Sequence, residues 1–112
     1  MIIGIGNVGS TSLKSKIIEI NNKNDINVLG EANLDKIKTR GASNFTHRVG
    51  DGPLKKEVIR IAGFDHGIKY ILKWFVKNGV IESPKDIEAM EILGYKIVIE
   101  RINNYLEVIT KR

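Results

Sequence analysis

The chain has 112 residues with 18 Lys and Arg against 13 Asp and Glu, so its formal net charge is +5. This length suits one domain over residues 1–112, because two half-sized cores would each bury too little surface. The 42% apolar and 28% charged composition is globular, and no apolar run approaches the roughly 18 residues that span a bilayer. Since cysteine is absent, disulfides and zinc-thiolate sites are excluded. We expect a cytoplasmic protein with no membrane segment.

The positive charge raises the question of nucleic acid binding, because clustered Lys and Arg side chains neutralise phosphates. Here the basic residues are spread along the chain among acidic ones, and aromatic residues make up only 6%. Few side chains are therefore left for stacking on bases. The charge is compatible with anionic ligands in general and specific for none.

Taken in chain order, the first half of the sequence predicts strands. Residues 1–5 form a short apolar run, the stretch 6–9 reads as a Gly-rich turn, and β-branched residues fill 13–20, so that residues 1–20 predict a hairpin. Three further strands are predicted at 26–34, 42–49 and 54–62.

In the second half of the sequence, the spacing of the apolar residues changes from that of a strand to that of a helix. Apolar residues at helical spacing predict one main helix over residues 65–78, with Asp65 as N-cap and the Asn78-Gly79 pair at its end. Ser83, followed by Pro84 and an acid at Asp86, predicts the start of a short second helix, and a β-rich run follows at 92–102. The order predicts a mixed α/β (α+β-like) domain, a largely antiparallel sheet of about five or six strands with one main helix, rather than a doubly wound nucleotide fold.

The segment 6–14 is the most informative part of the chain for chemistry. Glycine lets backbone N–H groups approach an anion, hydroxyls add donors, a lysine adds positive charge, and an amide oxygen can order a metal-bound water. The candidates are Gly9, Ser10, Thr11, Ser12 and Lys14 for phosphate, and Asn7 for a metal ion. The segment is not a Walker loop, because the GxxxxGK[ST] order is absent. The same residues also suit an ordinary Gly/Ser hairpin turn with one exposed lysine.

Residues 7–14 resemble the N-terminal motif Asn-x-Gly-Ser-Ser-Ser-x-Lys of the acetate kinase family of carboxylate kinases, with Thr11 as the one mild change. The family belongs to the actin-like, sugar-kinase and chaperone ATPase superfamily. The similarity continues in register over nearly the whole chain. It is weak at Gly30-Glu31 and residues 45–47, and it strengthens at Asp65-His66, residues 79–81 and residues 86–89. The resemblance implies a ribonuclease-H-like, actin-like ATPase half-domain, corresponding to the first part of the N-terminal lobe.

By this resemblance, the function is phosphoryl transfer between ATP and a short-chain carboxylate, which gives an acyl phosphate. The resemblance implies Mg²⁺ and ATP or ADP as cofactors, Asn7 near the metal, and the Ser-rich turn with Lys14 near the nucleotide phosphates. The family's substrate-side arginine falls on Lys96, which makes Lys96 the candidate for carboxylate binding. No residue of this chain is assigned a catalytic role.

The sequence also departs from the family. A lysine at position 96 is a point charge where arginine would offer a planar fork, Tyr95 replaces a histidine, and Glu100 puts an acid where phosphate would approach. Family members are several times longer. We therefore expect a truncated part of a kinase that is inactive alone and is completed by a missing lobe or a protein partner.

Two other functions remain open. One is a non-catalytic binding or regulatory module on the same fold, favoured by the changes at Tyr95, Lys96 and Glu100. The other, ranked last, is a basic nucleic-acid-binding domain resting on the net charge and on lysines that recur every four residues of the helix at Lys69, Lys73 and Lys77. A two-metal nuclease is discounted, because residues 1–9 contain no Asp or Glu.

Four side chains are expected to serve the structure rather than chemistry. His47 shares the face of a predicted strand with Phe45, so we expect it to be packed in the core, and we expect His66 to order the start of the helix. Tyr70 and Trp74 are expected to seal the edge of the core.

Overall fold

The computed structural model describes residues 1–37 and 41–93. Six strands, one α-helix and one turn of 3₁₀ helix make up this part of the chain. In order they are β1 (Ile2–Val8), β2 (Leu13–Ile20), β3 (Ile26–Asp35), β4 (Ala42–Val49), β5 (Lys55–Arg60), α1 (Phe64–Lys77), the 3₁₀ turn (Pro84–Asp86) and β6 (Ala89–Leu93).

The strands form a single sheet in the order β5-β4-β3-β2-β1-β6. The first five strands are antiparallel to their sequence neighbours, so they form a meander that needs only short turns. β6 pairs in parallel with β1 at the other side of the sheet, and α1 lies in the connection between β5 and β6. A parallel strand needs such a crossover, which an antiparallel hairpin does not. The predicted fold class, a mixed and largely antiparallel sheet with one main helix, is confirmed.

The helix α1 covers one face of the sheet, which we call the α1 face. Alternate residues of each strand point towards it, and Ala32, Leu34 and Phe45 are at most 1% exposed there. From the helix, the residues at positions i, i+3, i+4 and i+7 pack against them, and these are Ile68, Ile71, Leu72 and Phe75. Burial of this face supplies the largest favourable term in the folding of the domain.

The opposite face, which we call the outer face, carries the residues that alternate with the core positions. At the end where β1 starts it is apolar, with Ile3, Ile5 and Val28 half-buried and Ile18 only 7% exposed. At the end where β1 runs into β2 it is polar apart from the exposed Val58, and this half carries Asn7, Lys14, Asn33, Thr46 and Lys56. The outer face thus combines an apolar half and a hydrophilic half on one surface.

The prediction of a turn over residues 6–9 is wrong for most of that stretch. β1 continues to Val8, with Gly6 opposite Ser15 and Val8 opposite Leu13, and the turn itself spans residues 9–12. Glycine weakens a strand only modestly, and here the pairing with β2 and the burial of Val8 outweigh that cost. The predicted hairpin is confirmed, with a longer first arm.

The helix starts differently from the prediction. Its N-cap is Gly63, at a φ of 105° that favours glycine, and Asp65 lies in the first turn instead of capping it. A carboxylate in the first turn still interacts favourably with the positive end of the helix dipole. The His66 Nδ1 accepts a hydrogen bond of 2.9 Å from the Ala62 N–H, so this histidine orders the helix start as expected.

The predicted stop and restart signals are confirmed. Asn78 caps the end of α1, and Gly79 follows at a φ of 73°, the left-handed conformation that ends many helices. Ser83 and Asp86 form a capping box around the 3₁₀ turn, in which Asp86 accepts from the Ser83 N–H at 3.1 Å. The predicted strand at 92–102 overlaps β6, and its remaining residues lie outside the described part of the chain.

Among the described residues, no helix has both the length and the apolar character needed to cross a membrane.

Candidate phosphate-binding site

The turn between β1 and β2 is tight. The Gly9 N–H donates a hydrogen bond of 3.0 Å to the Ser12 carbonyl, which closes the turn. A Cβ added at Gly9 would lie 2.6 Å from the Ser12 Oγ, far inside van der Waals contact. A side chain at position 9 would therefore require the Ser12 hydroxyl, which occupies that space, to rotate away.

A second contact fixes the turn to the rest of the sheet. The Thr11 carbonyl accepts a hydrogen bond of 2.7 Å from the Ile37 N–H, in the segment that follows β3. Ile37 is 4% exposed and belongs to the core, and Lys36 before it adopts a φ of 59°. The turn is thereby held against a buried residue, while the side chains of Ser10 and Thr11 are exposed.

Asn7 and Lys14 lie opposite each other on either side of this turn. They are Cα partners in the antiparallel β1–β2 ladder, and both side chains are exposed on the outer face. Directly opposed residues of such a ladder have Cα atoms about 4.5–5.5 Å apart, so the amide and the ammonium group can reach one ligand. The structure therefore brings together Asn7, Lys14 and the turn, as the sequence motif predicted.

The sequence reasoning missed two polar residues of β3. Asn33 is the Cα partner of Lys14 on the other side of β2, and its Oδ1 accepts a hydrogen bond of 3.2 Å from the Ser15 N–H. Asp35, two residues on, lies on the same face, and its Oδ1 accepts from the Lys36 N–H at 3.0 Å. Their alternation with Leu34 was the available signal, but only the strand register says that they lie beside Lys14.

The donor set fits a phosphate group held with Mg²⁺ through side chains. One lysine, one amide and exposed hydroxyls suit phosphate oxygens, and Mg²⁺ commonly keeps several waters and binds through the phosphates themselves. The described residues hold no group of three or more His, Asp or Glu side chains that could bind a metal ion alone. The Gly9 N–H is engaged within the turn, so the fit rests on side chains more than on a backbone nest.

His47 is a packed histidine, as expected. Its ring centroid lies 4.8 Å from that of Phe45 and 4.9 Å from that of Trp74, and its Nε2 is 2.6 Å from the Glu57 Oε2. The side chain is 11% exposed, so the carboxylate satisfies a nitrogen that is largely removed from water.

The two larger aromatic residues of α1 close the edge of the core. Tyr70 and Trp74 both stack edge-on against Phe45, at centroid distances of 5.2 and 5.8 Å. Burial and the nearby Glu57 carboxylate raise the pKa of the Tyr70 phenol. The expectation that these residues seal the core is confirmed.

Two further predicted features stay predictions, because the described chain does not test them. Lys69, Lys73 and Lys77 are exposed along α1, which is the ordinary arrangement of a solvated helix face. Lys96, Tyr95 and Glu100 lie outside the described residues, so the carboxylate side of the predicted site is not described.

Comparison with solved structures finds a likeness that covers almost the whole chain. A propionate kinase from Francisella tularensis subsp. tularensis SCHU S4 superposes with a TM-score of 0.62 at 15% sequence identity, over 96% of this chain. The two proteins share a fold. The matched region is 29% of the propionate kinase chain, so this sequence spans less than a third of that protein's length.

Sequence comparisons add no further relative. No protein-family profile matches the chain. A search of curated proteins likewise finds no match. The resemblance to the acetate kinase family is supported only by the fold that the chain shares with the propionate kinase.

Proposed function

We propose that this domain is the phosphate-binding part of an acetate kinase-like phosphotransferase. The proposal rests on the observation that Asn7 and Lys14 lie opposite each other on the outer face, on strands joined by the tight turn of residues 9–12. The fold supports the proposal, because a propionate kinase is among the solved structures that share it, over 96% of this chain.

Each group has a separate role in the proposal. The Lys14 ammonium would neutralise phosphate charge, the hydroxyls of Ser10, Thr11 and Ser12 would donate to phosphate oxygens, and the Asn7 amide oxygen would help to hold Mg²⁺. Mg²⁺ bound with ATP or ADP would spread the negative charge of the transferred phosphoryl group. The protein contributes positioning and electrostatic stabilisation, which are the main catalytic terms in phosphoryl transfer.

The proposed substrate is a short-chain carboxylate, and Lys96 is its proposed ligand. The matched region is 29% of the kinase that shares the fold, and the residues that would bind the adenosine and finish the carboxylate site are proposed to lie on another lobe or a partner. We expect the 112-residue chain to form no acyl phosphate by itself. Trapping with hydroxylamine in the presence of ATP and acetate should give background product, and turnover lost on Lys14→Ala would overturn this expectation.

A non-catalytic module is the second candidate function. It is favoured by the internal hydrogen bond of the Gly9 N–H, which removes one backbone donor from any anion at the turn. Such a module would keep the fold and bind a protein partner without responding to nucleotide.

An amide NMR titration with Mg-ATP and then acetyl phosphate tests the phosphate site. Lys14→Ala is the test variant and Lys16→Ala is its control, because both lysines are exposed on the outer face of β2, two residues apart. We expect shifts centred on residues 6–14 that Lys14→Ala reduces and Lys16→Ala largely preserves. A dispersed spectrum that ignores both ligands would contradict the proposal and favour the non-catalytic module.

A further inference from the structure

A row of five hydrophilic residues crosses the outer face, one from each of five neighbouring strands. The Cα pairings run from Asn7 to Lys14, from Lys14 to Asn33, from Asn33 to Thr46 and from Thr46 to Lys56. Strands in a sheet are about 4.8 Å apart, so the row extends roughly 19 Å from the proposed phosphate site towards β5. We call it the transverse row.

The transverse row contains no acidic residue, whereas the rows on both sides do. On one side, Glu31 lies opposite Lys16 and Arg48, and its Oε1 is 3.6 Å from the Arg48 Nη1. On the other side, Asp35 pairs with Asn44. The two lysines of the transverse row therefore point from the same face with neutral hydrogen-bonding side chains between them, an arrangement suited to an extended anion.

Asn33 is oriented by its own hydrogen bond. Because its Oδ1 accepts from the Ser15 N–H, the carbonyl end of the amide is directed at β2. The Nδ2 group then keeps its two donors for another acceptor. Next to it, the Thr46 side chain is half-exposed and carries a hydroxyl, so both central residues of the row can donate to phosphate oxygens.

We propose that the transverse row binds a linear chain of three or more phosphates, whose first group lies at Asn7 and Lys14. Lys14 and Lys56 stand three strand spacings apart, about 14 Å, and their flexible side chains reach inwards over Asn33 and Thr46. This inference rests on the proposed function and deepens it: the ligand, an extended polyphosphate from a nucleoside triphosphate or an inorganic source, contacts Asn33, Thr46 and Lys56 as well as the site at Lys14.

The first test compares ligands of different length by amide NMR on the full chain. Orthophosphate is expected to shift residues 7–14, whereas inorganic tripolyphosphate and ATP should also shift Asn33, Thr46 and Lys56. If ATP binds more tightly than tripolyphosphate, a nucleotide is the source, and equal or weaker binding identifies the inorganic chain. Shifts from all three ligands confined to residues 7–14 would overturn the row while leaving the proposed function intact. Absence of any shift would overturn both.

The second test uses two pairs of matched variants. Lys56→Ala should weaken tripolyphosphate binding about 3-fold, which is typical of one exposed charge, whereas Lys55→Ala, on the α1 face of the same strand, should change it little. Asn33→Asp keeps the acceptor for the Ser15 N–H but replaces a donor by a negative charge, so we expect a larger loss.

The control for the second pair is Asn27→Asp, with the same charge change six residues earlier on β3, about 20 Å away. Equal losses from Asn33→Asp and Asn27→Asp would mean that net charge alone governs binding, which overturns the row. Orthophosphate affinity, which Lys56→Ala should leave unchanged, separates the row from the site at Lys14.

Discussion

The two faces of the sheet differ in what holds their residues in place. On the α1 face, Leu34 and Phe45 are almost fully buried, and even the polar Ser43 is only 1% exposed. Asn33, Asn44 and Thr46 alternate with these buried residues along β3 and β4, and on the outer face they keep part of their surface in water. The same strands therefore build the core with one set of alternate residues and present polar side chains to solvent with the other.

This division means that stability and binding can be changed separately. A substitution on the α1 face alters packing, which is dense and tolerates little change in volume. A substitution on the polar half of the outer face alters charge and hydrogen bonding near water, where effects on stability are usually within about 0.5 kcal/mol. The following experiments test how complete the separation is.

Phe45→Ala should have the largest effect. The side chain is fully buried and touches the rings of His47, Tyr70 and Trp74, so its removal leaves a cavity lined by aromatic groups. We expect a loss of about 3–5 kcal/mol in the free energy of unfolding, measured by urea denaturation. Thr46→Ala, one residue on and on the outer face, is the control, and similar losses from both variants would refute the division.

Gly30→Ala should come next. A Cβ at this position would lie 2.7 Å from the Val80 Cγ2 and 3.0 Å from its Cγ1, so the extra methyl overpacks the α1 face at a cost of about 1–3 kcal/mol. Thermal or urea denaturation measures the loss. The double variant with Val80→Ala should be less destabilised than the sum of the two single variants, because shortening Val80 makes room. Strict additivity would mean that the two residues do not clash.

Glu57→Ala should have a smaller effect. It removes the carboxylate that partners the Nε2 of His47 at the edge of the core, and the expected cost is about 1 kcal/mol. The neighbouring Lys56→Ala, on the outer face, should cost less. The fluorescence of Trp74, the single tryptophan, reports on the same cluster and should change in the first variant only. No difference between the two variants in either readout would contradict the role of the His47–Glu57 pair.

The smallest effect concerns alkaline pH. Because burial and Glu57 raise the pKa of Tyr70 above its ordinary value of 10.0, the neutral phenol is favoured in the folded state. The unfolded chain then loses its proton first, so the free energy of unfolding falls as the pH rises above about 10. Ultraviolet titration of the tyrosines should show a late ionisation that Tyr70→Phe removes. If native and unfolded Tyr70→Phe differ in their tyrosine titration as much as the native and unfolded parent protein do, the assignment of the raised pKa to Tyr70 is wrong.

The sequence predicted the elements better than their ends. The strands predicted over residues 13–20 and 42–49 agree with β2 and β4, and the predicted helix differs from α1 by one residue at each end. The hydrophobic period alone is enough to identify these three elements. The N-cap of α1 at Gly63 and the length of β1 were missed. A positive φ and the pairing of Gly6 with Ser15 both depend on partners distant in the chain.

The candidate site was predicted in part for the same reason. Asn7, Lys14 and the turn lie within eight residues, and a hairpin brings such neighbours together without help from the rest of the fold. Asn33, Thr46 and Lys56 come from three other strands. Their position beside Lys14 depends on the strand order and on the β-bulge between Ile17 and Ile18, which no local pattern encodes.

By itself, the sequence determined which residues alternate between core and surface, where the main helix lies, and that one short segment has the composition of a phosphate-binding turn. Only the tertiary structure decided which polar residues of different strands share a row, because register depends on pairings between distant parts of the chain. A shift of one residue in any strand would move its side chains to the other face, and the burial of Leu34 and Phe45 against α1 prevents it. The core thus specifies the register, and the register arranges the residues of the outer face.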